Sequence, residues 1–308
     1  MLALALRRLA GSIPVLLAVS VVTFTLLYLV PGDPVTALVG DRASPETIAN
    51  LRRELGLDLP VHERYLAWLK RALSGDLGRS WVTGRPVARS IAARVPVTAR
   101  LALTAFLVSS VVGLGVGVYS ASRHGRPADH VVRLTLLLAG AVPVFVAATV
   151  AMYLFGVRLR VLPVSGLGDG SLCHFILPGL VLGVYLSIFQ ARMTRSVMLE
   201  IIRQDYIRTA RAKGLPERVV IWRHAFRNAL VSVITLLGGS LSNLLVGSVL
   251  TETIFNLPGI GRFTVDAAYA RDFPAVMGCF LFQSVVFVLA NTLVDLGYAL
   301  ADPRVRLG

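Results

Sequence analysis

The chain has 308 residues, of which 55% are hydrophobic and 16% charged, with a mean hydropathy of +0.71 and a formal charge of +14. That balance excludes a soluble globular protein and leaves little room for a separate soluble domain. The positive excess is spread over segments between apolar runs, where basic residues set membrane orientation and meet lipid headgroups, so it is not read as a nucleic-acid surface.

Six uncharged runs, at 9–30, 101–122, 134–157, 175–191, 228–251 and 273–294, each approach the roughly 20 residues a helix needs to cross a bilayer. Unbroken runs favour helices over a barrel, whose strands alternate in polarity. The expected fold is all-α and polytopic, with six transmembrane helices. It divides into a tail and first span (1–30), a helical loop (31–96) and a core (97–308) that includes a long loop at 192–228.

The first run follows Arg7 and Arg8 and has the look of a signal peptide. It is longer than a signal core and continues into Pro31-Gly32-Asp33-Pro34 without a small-residue cleavage pattern, so it is expected to be a retained span. Within 31–96, Ser44-Pro45-Glu46 is a helix start that should run to about Gly56. A second start at Pro60 leads through Tyr65 and Trp68 to about Leu73, before the turn Ser74-Gly75-Asp76. From Gly84 onward the chain is an amphipathic approach to the second span. A small cap of short helices and a structured linker are both open readings of this loop.

The second span carries Gly113, Gly115 and Gly117, a small-residue face suited to close helix packing; a nucleotide-binding glycine loop needs a preceding strand and is excluded. The third span is 134–157. The fourth, 175–191, is the shortest, with Cys173 and His174 available to extend it. Cys173 and Cys279 are expected to be packing residues, and the histidines at 124, 130, 174 and 224 show no metal-ligand spacing, so no metal site is expected.

Between Ala191 and Asn228 lie nine Lys or Arg against Glu200, Asp205 and Glu217. Asp205 is a candidate N-cap, and Gly214 then Pro216 mark a stop and a restart. The piece from Tyr206 to Lys213 is too short to be stable alone and must be held from outside. Beyond it Val219, Trp222, Phe226, Ala229, Leu230 and Val233 form a stripe of period 3.6, with Arg223, His224, Arg227 and Asn228 opposite. In the last two spans, Glu252 lies near an end, where the interface with water and pathway lining are both open. Asn243, Gln283 and Asn291 suit interhelical hydrogen bonds or pathway lining. Asp295 suits an ion pair with Arg304 and Arg306.

The N-terminal tail and the second and fourth loops hold most of the short-loop positive charge, which should place them and both termini in the cytoplasm. The ten Lys or Arg within 31–96 belong to a loop long enough that its charge counts little.

The string RTARAKGL, with Ala210 and Gly214 four apart, resembles the EAA motif of ABC importer permeases. Matches continue in order: RRLAGSIPVLLAVSVVTF and PGDP, LRRELGLDLPVHERYLAWL, GDLGRSW, TGRPV, LPVSG, RHAFRNALVSVIT, ETIFNLPGIGRFTVDA, RDFPAVMG and NTLVDLGYALADPRVR. Nearly the whole chain is similar to the oligopeptide, dipeptide and nickel permease family. Thr209-Ala210 replaces the leading acidic-alanine pair, Pro216 stands where a capping Ser is common, and Ser232 replaces a usual proline, which implies a straighter start to the fifth span.

The resemblance implies the type I ABC importer permease fold in a bacterial cytoplasmic (inner) membrane, without catalytic chemistry of its own. It implies a homologous second permease subunit, two ATPase subunits holding ATP and Mg, and an extracytoplasmic solute-binding protein, with lipid around the spans. The loop around 205–229 would dock on the ATPase through Asp205, Arg208, Ala210, Arg211, Lys213 and Gly214, the small residues allowing close approach. A self-contained secondary transporter or channel predicts inverted repeats and charges deep in spans, and an intramembrane enzyme predicts a motif such as H-E-x-x-H; neither pattern stands out.

Overall fold

The computed structural model of the chain describes residues 2–29, 32–40, 43–168 and 170–301. Among them the secondary structure is helical, apart from one isolated bridge between Arg79 and Pro86. Helix α1 (Leu2–Leu29) contains Pro14 and is mostly exposed along its length, packing against the last helix of the chain.

The loop that follows folds into a cap at one end of the bundle. It contains α2 (Pro34–Val39), α3 (Pro45–Glu54), α4 (Val61–Leu73) and α5 (Val87–Ala92). Helices α3 and α4 begin where their start signals stand. The Ser44 hydroxyl accepts the backbone N–H of Thr47, Gly56 takes the left-handed conformation with φ of 66°, and Pro60 precedes α4. The cap is fastened to α1 by a hydrogen bond of 2.9 Å between Ser20 and Tyr65 and by an edge-on contact of Tyr65 with Phe24.

Helices α6 (Val95–Ser122) and α9 (Cys173–Ile202) run parallel and form the densest seam of the bundle. Glycines supply the closeness from both sides. A Cβ at Gly179 or Gly183 would meet Thr104 or the Ala105 carbonyl, and one at Gly113 or Gly117 would meet Gln190 or the Ala191 carbonyl, each at 2.7 Å or less. Gly115 is not part of this face: a Cβ there would meet nothing within 4 Å. Two residues along a helix is about 200° around it, so Gly115 cannot share the seam of its neighbours.

The third span is not one helix. Helix α7 (Pro127–Ala141) and α8 (Val144–Ala151), with its π-helical extension Met152–Arg158, meet at 94°. Pro143 explains the break. It lacks an N–H and bars its predecessor from helical geometry, and Val142 is accordingly extended with φ −80° and ψ 122°. Fifteen residues of α7 rise only about 22 Å, short of the roughly 30 Å of hydrocarbon, so α7 alone is shorter than a full span and the chain turns by nearly a right angle after it.

The fourth span overruns its expected end by a further eleven residues. Arg195 is held inside the fold because its guanidinium donates to Asp129 at 2.8 and 2.9 Å and to Ser120 at 3.1 Å. Asp129 is 1% exposed and also accepts from Ser120, so the ends of α6, α7 and α9 are clamped together at the end away from the cap.

After α10 (Asp205–Ala212) and α11 (Glu217–Val219) come a π-helical segment, Val220–Phe226, and α12 (Arg227–Gly247). The fifth span bends by 56° between residues 217–230 and 232–244, contrary to the straighter start expected from Ser232. The bend falls within α12, next to Ser232, so the chain turns here without a proline. Then follow α13 (Val249–Ile254), α14 (Ile260–Tyr269) and α15 (Phe273–Ala301). Asp295 on α15 pairs with Arg8 of α1 at 3.3 Å; its expected partners Arg304 and Arg306 lie outside the described residues, as does Val30 at the end of the first expected span. The cap closes on α15 through Asp272, whose carboxylate accepts the Ser80 hydroxyl and the Trp81 backbone N–H.

Candidate functional site

The segment from Gln204 to Phe226 projects from the end of the bundle opposite the cap. Its first helix, α10, has only eight residues, and burial of one edge holds it. Ile207 and Ala210 sit in a cluster with Val118 and Ala121 of α6, Met198 of α9, and Val220, Ile221 and Ala225 behind. Tyr206 adds a tether, its hydroxyl accepting Asn228 Nδ2 at 2.9 Å.

The helix ends in a Schellman motif. Gly214 has φ of 74°, its N–H donates to Arg211 O at 2.9 Å, and the Leu215 N–H reaches Ala210 O at 3.4 Å. Arg211 then forks onto Glu217 across the turn, at 3.1 and 2.7 Å, which holds the Glu217 carboxyl below its ordinary range and raises the guanidinium. The pair staples α10 to α11 and fixes the angle at which the turn is presented.

Three expectations for this segment change. Asp205 is not the N-cap: Gln204 precedes the helix without a side-chain bond, while Asp205 is its first residue, 92% exposed and 3.3 Å from Arg208. Ala210 does not offer close approach to an outside partner, because it is turned into the chain's own core; Ala212, Lys213 and Gly214 are the exposed small and basic positions. The apolar stripe is displaced too. Val220, Ile221, Ala225, Ala229 and Val233 are buried, whereas Trp222 is 50% exposed and stacks edge-on against Phe226 at 5.3 Å. The π-helical turn, with its i→i+5 bonding, adds a residue to the turn and rotates the face that a 3.6-residue period assigns inward. The exposed surface therefore combines Asp205, Tyr206, Arg208, Arg211, Lys213, Gly214 and Leu215 with the Trp222 ring.

The polar residues of the later spans sit in separate surroundings. Glu252 is not at a water interface: it is fully buried. Its Oε1 accepts Thr98 and Ser248 hydroxyls at 2.7 and 2.8 Å, and Oε2 accepts the Arg262 N–H at 2.9 Å. Thr98 in turn accepts the Ile260 N–H, so one carboxylate joins α6, α13 and α14. Gly259 and Gly261 leave room for it, since a Cβ at Gly259 would overlap the carboxylate. Gln283 donates to Thr264 at 2.9 Å, an interhelical bond between α15 and α14. Asn243 is exposed on α12, and Asn291 bonds to its own helix and lines a groove of about 690 Å³ with Arg7, Arg8 and Asp295. Sequence reasoning missed Asp129, Asp272 and the hydroxyl partners of Glu252. A lone carboxylate beside a long apolar run was the available signal.

Glu252→Ala should lower stability by about 2 kcal/mol, because two hydroxyls and a backbone N–H lose their buried acceptor. A thermal unfolding midpoint in detergent equal to that of the unaltered chain would contradict this.

The architecture and the exposed segment meet their counterparts in known proteins. Residues 113–307 match the family model of the binding-protein-dependent transport system inner membrane component, and residues 1–102 match the N-terminal model of the same membrane components. A putative peptide transport system permease protein of Brucella abortus is 47% identical over 99% of both chains. The dipeptide transport system permease protein of Alkalihalophilus pseudofirmus is 38% identical over 99% of this chain and 100% of its own. The glutathione transport system permease protein of Salmonella choleraesuis is 39% identical over 99% of both. With its bundle of apolar helices and these matches along its length, the chain belongs to the binding-protein-dependent inner membrane components: it is a multi-pass permease subunit of the ABC importers.

Proposed function

We propose that this permease imports short peptides, forming half of a pathway with a homologous second permease subunit. Two ATPase subunits holding ATP and Mg supply the energy, and an extracytoplasmic binding protein delivers the solute. No cofactor is bound by this chain. The observation that carries the reading is the exposed surface around α10 and Gly214, held rigidly by a buried apolar edge while presenting charge, a left-handed turn and an indole ring outward. Such a surface suits a partner that must grip and move the bundle as a body. The names of the relatives support peptides as cargo, and one favours glutathione, itself a small peptide.

The charge distribution supports a cytoplasmic position for this surface and for both termini. Arg7 and Arg8, the turn between α6 and α7, and the segment after α9 gather at one end of the bundle, opposite the cap, and short basic segments stay in the cytoplasm. ATP-driven closure of the ATPases would then pull α10 and rock the helices around the path.

Co-purification tests the reading. A tagged chain extracted in mild detergent should bring down an ATPase subunit and a second permease, and the assembly in proteoliposomes should take up peptide only with ATP. Reproducible recovery without an ATPase overturns it.

A further inference from the structure

Between α3, α4, the loop after α4 and the first turn of α15, the cap frames a half-open cavity of about 640 Å³. Its walls are aromatic: Phe24, Trp68, Trp81 and Phe273. The charged residues that line it are Glu54, Arg64, Arg71, Asp76 and Arg79. Arg64, Trp68 and Arg71 stand at i, i+4 and i+7, one face of α4.

The charges of both signs around this cavity leave one another unpaired. Arg64 lies over the Phe24 ring at 6.0 Å, Arg79 donates to its own loop at Gly84 O, Asp76 accepts its own loop's Gly78 N–H, and among the described residues the side chains of Glu54 and Arg71 have no hydrogen-bond or ion-pair partner. Trp68 is 7% exposed, and its buried indole N–H meets no acceptor among the described residues. A buried donor without a partner is costly, whereas the exposed charges at the rim stay hydrated and free to meet a ligand. A cavity of this volume with apolar walls and a few polar groups is of the kind that holds small ligands.

We propose that the cap holds a binding site for a short zwitterionic peptide. Arg64 and Arg71 take its carboxylate, Glu54 and Asp76 face its ammonium end, and the aromatic walls take its side chains. Planar guanidinium forks suit a carboxylate, and the ring faces suit both apolar groups and a cation. The site lies at the end of the bundle opposite α10, where solute would wait before entering the path. The proposal rests on the peptide-import reading for its choice of ligand.

The tryptophans give the test its readout. Trp68 and Trp81 line the cavity, and the third, Trp222, is at the far end and is removed as Trp222→Phe. The full chain is placed in nanodiscs of phosphatidylglycerol alone, and trialanine is titrated while emission is recorded. Saturable change is expected with free trialanine and none with N-acetyl-trialanine amide. Arg71→Ala and Glu54→Gln, both at exposed side chains, should each weaken the response at least tenfold. Equal responses to free and blocked peptide, or responses unchanged in both variants, overturn the site. If nanodiscs containing phosphatidylethanolamine shift the emission and trialanine does not, the zwitterion is a lipid headgroup and the peptide assignment is overturned. An assembly that imports trialanine while the cap shows no response rejects the cap site alone, and a cap that responds in an assembly without uptake rejects the import reading instead.

Discussion

Gly214→Trp is expected to abolish uptake while leaving the chain inserted, folded and at normal abundance. The structure separates these two consequences. A Cβ at Gly214 would meet nothing within 4 Å, so the chain itself has room for a ring. Its φ of 74° is left-handed, and a side chain there costs about 1–2 kcal/mol of backbone strain. That cost falls on the last turn of α10, whose buried edge at Ile207 and Ala210 remains to hold it. A bulky ring would instead occupy the space in front of the turn, where the proposed ATPase partner would approach.

Gly214→Ala is the control, since it carries the same strain without the bulk. Uptake by proteoliposomes and recovery of the ATPase with the tagged chain measure the outcome. Alanine should keep most of both and tryptophan should lose both. Normal uptake with tryptophan would remove the turn from the docking surface, and equal loss with alanine would trace the effect to the backbone.

The presence and order of the helices were legible because apolar length is a property that sequence displays directly. The runs at 101–122 and 273–294 became α6 and α15 with a few added residues, and Ser44 and Pro60 marked α3 and α4. What was not legible is long-range pairing. Arg195 looks like the cytoplasmic side of a span end until Asp129, 66 residues away, is found beneath it. Glu252 looks like a group seeking water until Thr98, 154 residues away, is found to donate to it.

The candidate site was legible in position and not in facing. The stop at Gly214 and the restart at Pro216 were plain, yet Ala210 and Trp222 exchanged sides. A π-helical turn has no residue signature comparable to that of proline or glycine, so the period that assigns faces silently changes at Val220. The bend of the third span is different. Pro143 stood in the sequence, and the extended geometry it imposes on Val142 follows from proline chemistry alone.

The seam between α6 and α9 carries the second large prediction. Gly117→Leu and Gly183→Leu should each prevent stable assembly of the bundle, with a loss beyond the ~3 kcal/mol at which ordinary overpacking ends. The reason is what stands opposite. A Cβ at Gly117 would lie 2.7 Å from the Ala191 carbonyl, and one at Gly183 2.7 Å from the Ala105 carbonyl. A side chain could rotate away, but backbone in the middle of a helix moves only with the helix. Separating α6 from α9 would also pull Arg195 from Asp129 and strip the apolar cluster from α10, so damage at the seam reaches the proposed coupling surface without touching it. Gly115→Leu adds the same bulk two residues from Gly117 and meets open space, so it should leave the unfolding midpoint nearly unchanged. Membrane abundance and thermal unfolding in detergent distinguish the three variants. If Gly115→Leu proves as harmful as Gly117→Leu, the helix as a whole resists leucine and the close seam is not the cause; if all three are tolerated, α6 and α9 do not pack at this distance.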